Sequence, residues 1–160
     1  MLQTLQQPIE IRPATGQDVA LMSEWAQAMA FETEHKRLDP DTITRGITEG
    51  VADPTRSRYF IAEIGGEPAG TLMFTFEWSD WRCAWWWWLQ SVYVPPAHRR
   101  KGVYRAMYEH VQALAAQAPD VCGIRLYVER DNISAQRTYE SLGMKDAGYW
   151  MFESEFPQLP

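Results

Sequence analysis

Cysteine, positive charge and long apolar runs are all scarce in this chain, and each shortage removes a class of protein. Two cysteines in 160 residues, Cys83 and Cys122, give neither a disulfide framework nor a metal-ligand spacing, so no metal is expected. They read as reduced thiols, buried or half-buried. Fifteen Lys and Arg against 21 Asp and Glu leave a formal charge of −6, the wrong sign for neutralising nucleic-acid phosphates. The longest apolar run, residues 84–89, is far too short to span a membrane. The opening MLQTLQQPIE has neither the basic start nor the apolar core of a secretory signal. Together these predict a cytoplasmic protein that engages neither nucleic acid nor membrane. Its acidity is compatible with a cationic small molecule or peptide as partner.

What is present reads as one mixed α/β domain over residues 1–160, with an ordinary apolar share of 46%. Residues 9–12 form a strand candidate, stopped by Pro13. Thr15 with Asp18 makes a capping box ahead of a helix carrying Val19, Met22, Trp25, Ala26 and Met29 at helical spacing. Asp39-Pro40 starts a second helix that Asp53-Pro54 closes. Strands are predicted over 59–64, 69–78 and 84–94, with Gly65-Gly66 as a tight turn and Pro95-Pro96 as a stop. A helix over 102–117, a strand over 121–128, a helix over 132–142 ended by Gly143 and a last strand over 149–152 complete the order β-α-α-β-β-β-α-β-α-β. The aromatic run 149–152 fits either a strand completing its own sheet or the interface of a homodimer.

Tryptophan is abundant, eight in all, and Trp85, Trp86, Trp87 and Trp88 are consecutive. Strand alternation sends Trp85 and Trp87 to one face and Trp86 and Trp88 to the other. Both sets suit a covered sheet, and the second could instead wall a site for a cationic amine.

Residues 94–107, VPPAHRRKGVYRAM, set a basic turn with one glycine between a strand and an amphipathic helix. Free backbone N–H groups, a helix dipole and fixed cations meet there, the parts that hold a pyrophosphate. The dinucleotide fingerprint fails, because three glycines are needed and only Gly102 is present. The NTPase loop fails too, since Lys101 precedes Gly102 and no Ser or Thr follows.

This turn, with Arg99 and Gly102 in place and Tyr104 where a small residue is usual, resembles the acetyl-coenzyme A motif of the GNAT superfamily of N-acetyltransferases. Asp131-Asn132, Ala135-Gln136, Tyr139 and Leu142-Gly143-Met144 resemble its second motif, and the element order agrees along essentially the whole chain. The resemblance implies the GNAT fold, a mostly antiparallel sheet of six to seven strands with helices on both faces. It also implies transfer of acetyl from acetyl-coenzyme A to a primary amine of a small molecule or peptide by direct attack. A coenzyme A-binding sensor without turnover, or a longer acyl donor, are the competing readings.

By the same resemblance the backbone of Arg100, Lys101, Gly102, Val103, Tyr104 and Arg105 holds the pyrophosphate, and Arg100, Lys101 or Arg105 meets the 3′-phosphate. Val92 and Val94 lie on the strand that pairs with the pantetheine arm, Asn132 contacts that arm, and Tyr139 protonates the departing sulfur. Glu77, Asp80, Glu32 and Glu34 are candidates for the general base. Glu32 is selected because Phe31-Glu32-Thr33-Glu34 falls in the expected loop between the first two helices, which lines the family's acceptor groove. His35 lies nearby but reads as a solvated loop residue.

Overall fold

Thr15 caps a 3₁₀ turn, Gly16–Asp18, that runs directly into the first helix, close to where the sequence places the helix start. Its side chain and that of Asp18 cap each other's turn reciprocally, with the Thr15 amide donating to Asp18 Oδ2 at 2.7 Å. Asp18 is itself gripped by Arg12 at 2.8 Å, and Arg12 also pairs with Glu63 at 2.7 Å, tying the first strand to the helix start. The structure is a computed structural model and describes residues 7–157.

The elements are β1 (Ile9–Pro13), α1 (Val19–Glu34), α2 (Pro40–Ala52), β2 (Arg58–Ile64), β3 (Glu67–Ser79), β4 (Ala84–Tyr93), α3 (Val103–Gln117), β5 (Val121–Arg125) and α4 (Ile133–Ser141). Asp39 caps α2 by accepting from the Thr42 amide, with Pro40 in its first turn. The strands lie side by side in the order β1-β2-β3-β4-β5; the first four are antiparallel and β5 is parallel to β4. A parallel neighbour requires a crossover, and α3 supplies it.

The class agrees with the sequence reading, and two expectations change. Among the described residues the sheet has five strands rather than six or seven, and residues 149–152 form none; Tyr149 and Phe152 are 80% and 93% exposed. Residues 31–34 are not a loop. They form the last turn of α1, which ends only where His35 adopts a left-handed conformation, φ 52°.

Two compact units are distinguished, one running to Leu126 and one beginning at Tyr127. In the first, α3 covers one face of the sheet. There Phe60, Phe74 and Trp87 stack in sequence, with Phe74–Trp87 centroids 4.3 Å apart, and His110 of α3 meets Phe60 edge-on at 5.2 Å. Gly70 lets the helix approach, since a Cβ there would lie 2.9 Å from Val103 Cγ1. On the opposite face α1 and α2 pack Val19, Met22, Trp25 and Ile47 against Ile61 and Tyr93. The second unit contains α4. Asn132 caps it by accepting from the Ala135 amide at 3.1 Å, and Gly143 follows it at φ 89°.

Candidate active site

After β4, Pro95 and Pro96 end the strand and a 3₁₀ turn covers Pro96–His98. Arg100 then takes a left-handed conformation, φ 62°, and Gly102 another, φ 83°, immediately before α3. A Cβ at Gly102 would meet nothing within 4 Å, so the glycine answers to conformation and leaves open space above the turn. The first bond of the α3 ladder runs from the Ala106 amide to Gly102 O at 3.0 Å. The amides of the first turn therefore stand ahead of the ladder at the positive end of a 15-residue helix.

The side chains divide the work. Val103 is buried against the sheet, so it can serve a ligand only through its backbone. Tyr104, the departure from the family pattern, stacks on Tyr108 at 6.3 Å along its own helix. Arg100 and Lys101 are exposed and form no ion pair among the described residues, whereas Arg105 reaches Glu109 at 3.6 Å. These features fit a pyrophosphate with an additional phosphate close by.

Beside the turn, β4 parts from β5. Their pairing covers Trp85 to Trp88 and stops, because β5 ends at Arg125 while β4 continues to Tyr93. Within this free stretch β4 carries one residue more than β3: Thr71 faces Tyr93 and Met73 faces Gln90, a bulge centred on Ser91 at φ 47°. The extra residue reverses the alternation. Gln90, on the α1–α2 face, donates to Thr75 Oγ1 at 2.6 Å, and the shift brings Tyr93 to that same face. Val92 and Val94 lie half-buried along this stretch.

Tyr93 connects the turn to α1. Its hydroxyl donates to Glu32 Oε1 at 2.8 Å, and Glu32 Oε2 takes Arg99 Nη2 at 2.6 Å. Arg99 also donates from Nε to Val94 O at 2.8 Å and lies 5.7 Å from the Tyr93 ring centre. Arg99, followed by Tyr93, holds the Glu32 carboxyl below the ordinary carboxylate range, while burial, helped by Glu32, raises the Tyr93 phenol. Sequence reasoning missed Tyr93, because strict alternation places it on the other face.

Farther along the same face, Trp88 Nε1 donates to Glu77 Oε2, and Arg125 donates to Glu77 Oε1 at 2.8 Å. The Trp86 ring has Arg125 at 4.0 Å and Arg82 at 5.0 Å. The cation at that tryptophan is thus supplied by the chain itself. Trp85 and Trp87 belong to the aromatic packing on the α3 side. Asp80 binds the Trp81 amide at the hairpin tip, and Glu34 pairs with Lys36.

Between α1, α2 and strands β2–β4 lies a cavity of about 290 Å³, bordered at one end by Ser91 and Tyr93 of the bulge. In the second unit, Tyr139 projects from α4, and burial raises its phenol pKa, favouring the protonated form. Among the described residues no cluster of His, Cys, Asp and Glu could hold a metal, and no helix is long and apolar enough to cross a membrane.

An open strand edge running into a cationic helix N-terminus is the architecture of an acyl-group transferase. The profile of the Acetyltransferase (GNAT) family matches residues 19–144. Phosphinothricin N-acetyltransferase of Streptomyces viridochromogenes is 28% identical over 170 residues, which span 96% of this chain and 92% of that protein. A Clostridium difficile structure described as a possible acetyltransferase is 37% identical, with a TM-score of 0.87 over 94% of this chain and 99% of that one. A Clostridium acetobutylicum structure described as a predicted acetyltransferase with acetyl-CoA shares the fold at a TM-score of 0.73 and 16% identity, over 92% and 96% of the two chains. The chain belongs to the GNAT acetyltransferase family, and it is an N-acetyltransferase.

Proposed function

We propose that this enzyme moves acetyl from acetyl-coenzyme A to the primary amine of a small molecule or peptide by direct attack. The observation that carries the reading is the parting of β4 from β5 immediately before the open N-terminus of α3. When bound, acetyl-coenzyme A supplies an acetyl group activated as a thioester. The backbone amides of Arg100, Lys101, Gly102, Val103, Tyr104 and Arg105 hold its pyrophosphate. Arg100 and Lys101, exposed and outside any ion pair among the described residues, reach for the 3′-phosphate. The main chain at Val92 and Val94 pairs with the extended arm, as a strand edge pairs with an added strand, and Asn132 meets that arm from α4.

The amine nitrogen bonds to the carbonyl carbon as the carbon–sulfur bond breaks. Tyr139 gives its hydroxyl proton to the departing sulfur, and its raised pKa keeps that proton in place at neutral pH. Glu32 is ionised, but Arg99 and Tyr93 occupy its oxygens, which weakens it as a base, so the amine's proton leaves to water and a proton from water restores the Tyr139 phenol. In this reading the larger contribution of Glu32 is to hold Arg99 in the turn.

Free-thiol release with acetyl-coenzyme A and a panel of amines, phosphinothricin among them, tests the proposal. Tyr139→Phe is expected to lower kcat by about a hundredfold with acetyl-coenzyme A affinity preserved. Undiminished turnover in that variant removes the acid role. Tight binding of acetyl-coenzyme A without release for any amine would show a sensor instead, and a preference for propionyl- or succinyl-coenzyme A would move the donor assignment.

A further inference from the structure

The cavity under α1 and α2 is unusual in what its wall omits. No lining residue carries a charge; Met22 and Met29 of α1 and Met73 of β3 line it from two elements, and Tyr93 closes the end nearest the bulge. Two of its four side-chain hydroxyls are committed elsewhere. The Thr71 hydroxyl donates to Phe60 O at 3.1 Å, and the Tyr93 hydroxyl is turned to Glu32. A carboxylate or a second ammonium placed there would be stripped of water with no counter-charge, at a cost of several kcal/mol. An apolar group loses nothing by entering, and thioether side chains adapt to its shape.

Gly46 supplies an independent observation. It sits in the middle of α2, where glycine is destabilising relative to alanine. Its φ is not left-handed, and a Cβ there would meet nothing within 4 Å. Neither conformation nor crowding demands glycine at this position. One turn later Gly50 is different, because a Cβ would come within 2.7 Å of Ser57 Oγ. Gly46 is exposed and also borders the cavity, so its missing side chain leaves a notch in the wall.

We propose that this cavity receives a neutral, apolar body of the acceptor, and that Gly46 is the notch that admits it. The amine is directed to the Ser91 end, where β4 leaves β5. At about 290 Å³ the space is at the small end for ligand sites, so it takes an alkyl or single-ring group. The proposal rests on the acetyl-transfer reading for the reaction, though binding at the cavity can be measured without it.

The test uses 2-phenylethylamine and hexylamine against glutamate and 1,5-diaminopentane, with thermal shift and free-thiol release as separate readouts. The apolar amines are expected to raise Tm and to give kcat/KM at least about tenfold above the charged ones. Gly46→Leu, and Met73→Phe from the opposite wall, should raise the apolar acceptor's KM about tenfold while leaving the KM for acetyl-coenzyme A unchanged. A Tm shift by 2-phenylethylamine that Gly46→Leu abolishes, without thiol release from any amine, keeps the cavity assignment and removes the transfer reading. Release with glutamate or 1,5-diaminopentane that ignores both substitutions keeps transfer and overturns the cavity assignment. Absence of both signals overturns both.

Discussion

The two faces of the sheet are built on opposite plans. On the α3 side, Phe60, Phe74 and Trp87 stack ring upon ring and Phe74 is fully enclosed, so shape is filled by close aromatic packing. On the α1–α2 side, the same strands carry Thr71, Thr75, Glu77 and Gln90, a strand bulge and a cavity. One face stabilises the molecule and the other leaves room for a ligand. The lesson is that one sheet can be filled on one side and left underpacked on the other, and the proposed acceptor site follows the underpacked side.

The contrast is most sharply broken by substitutions at adjacent positions of β3. Phe74→Ala should destabilise by about 3–5 kcal/mol in urea unfolding, because stacked partners on both sides cannot close over the gap. Met73→Ala, which only enlarges an existing space, should cost roughly 1 kcal/mol. Equal costs would mean that the two faces are packed alike.

Glu32→Gln tests whether the functional face works through positioning. The pair with Arg99 is partly exposed, so the loss of stability should stay below about 1 kcal/mol. The KM for acetyl-coenzyme A should nonetheless rise severalfold as the turn loses its tie, with a smaller change in kcat. A large loss of kcat with an altered pH profile would instead restore Glu32 as the base. The smallest effect concerns pH. Glu32 is held below its ordinary value of about 4.3, so its contribution is complete above that pH and fades as pH falls through the lower folded value. Stability of Glu32→Gln and of the parent chain should therefore converge in acid, and a gap that persists there would assign the difference to something other than the ion pair.

Most of the fold was legible because its punctuation is local. Thr15-Asp18, Asp39-Pro40, Pro95-Pro96 and Gly143 each state a cap, start or stop within a few residues, and each acts as read. The end of α1 was misread because His35, an ordinary residue, performs the left-handed turn that glycine usually marks. The turn before α3 was legible as a turn for the same reason as the caps, being made of backbone, one glycine and consecutive cations. The cavity was not. Its walls come from five elements, and each contributes apolar residues at the spacing of ordinary core. Gly46 was the available signal, a helix-interior glycine with no local reason to be there.

The bulge at Ser91 also makes β4 a strand whose length is part of its meaning. It holds one residue more than its partner can pair, and that surplus sets which side of the sheet every later residue of the strand inhabits. Shortening the strand by one residue there would restore simple alternation and turn Tyr93 toward α3, taking its hydroxyl from Glu32 and removing the end wall of the cavity. No replacement side chain could undo that. A variant that keeps this arrangement can therefore change the letters around Ser91 but not the count.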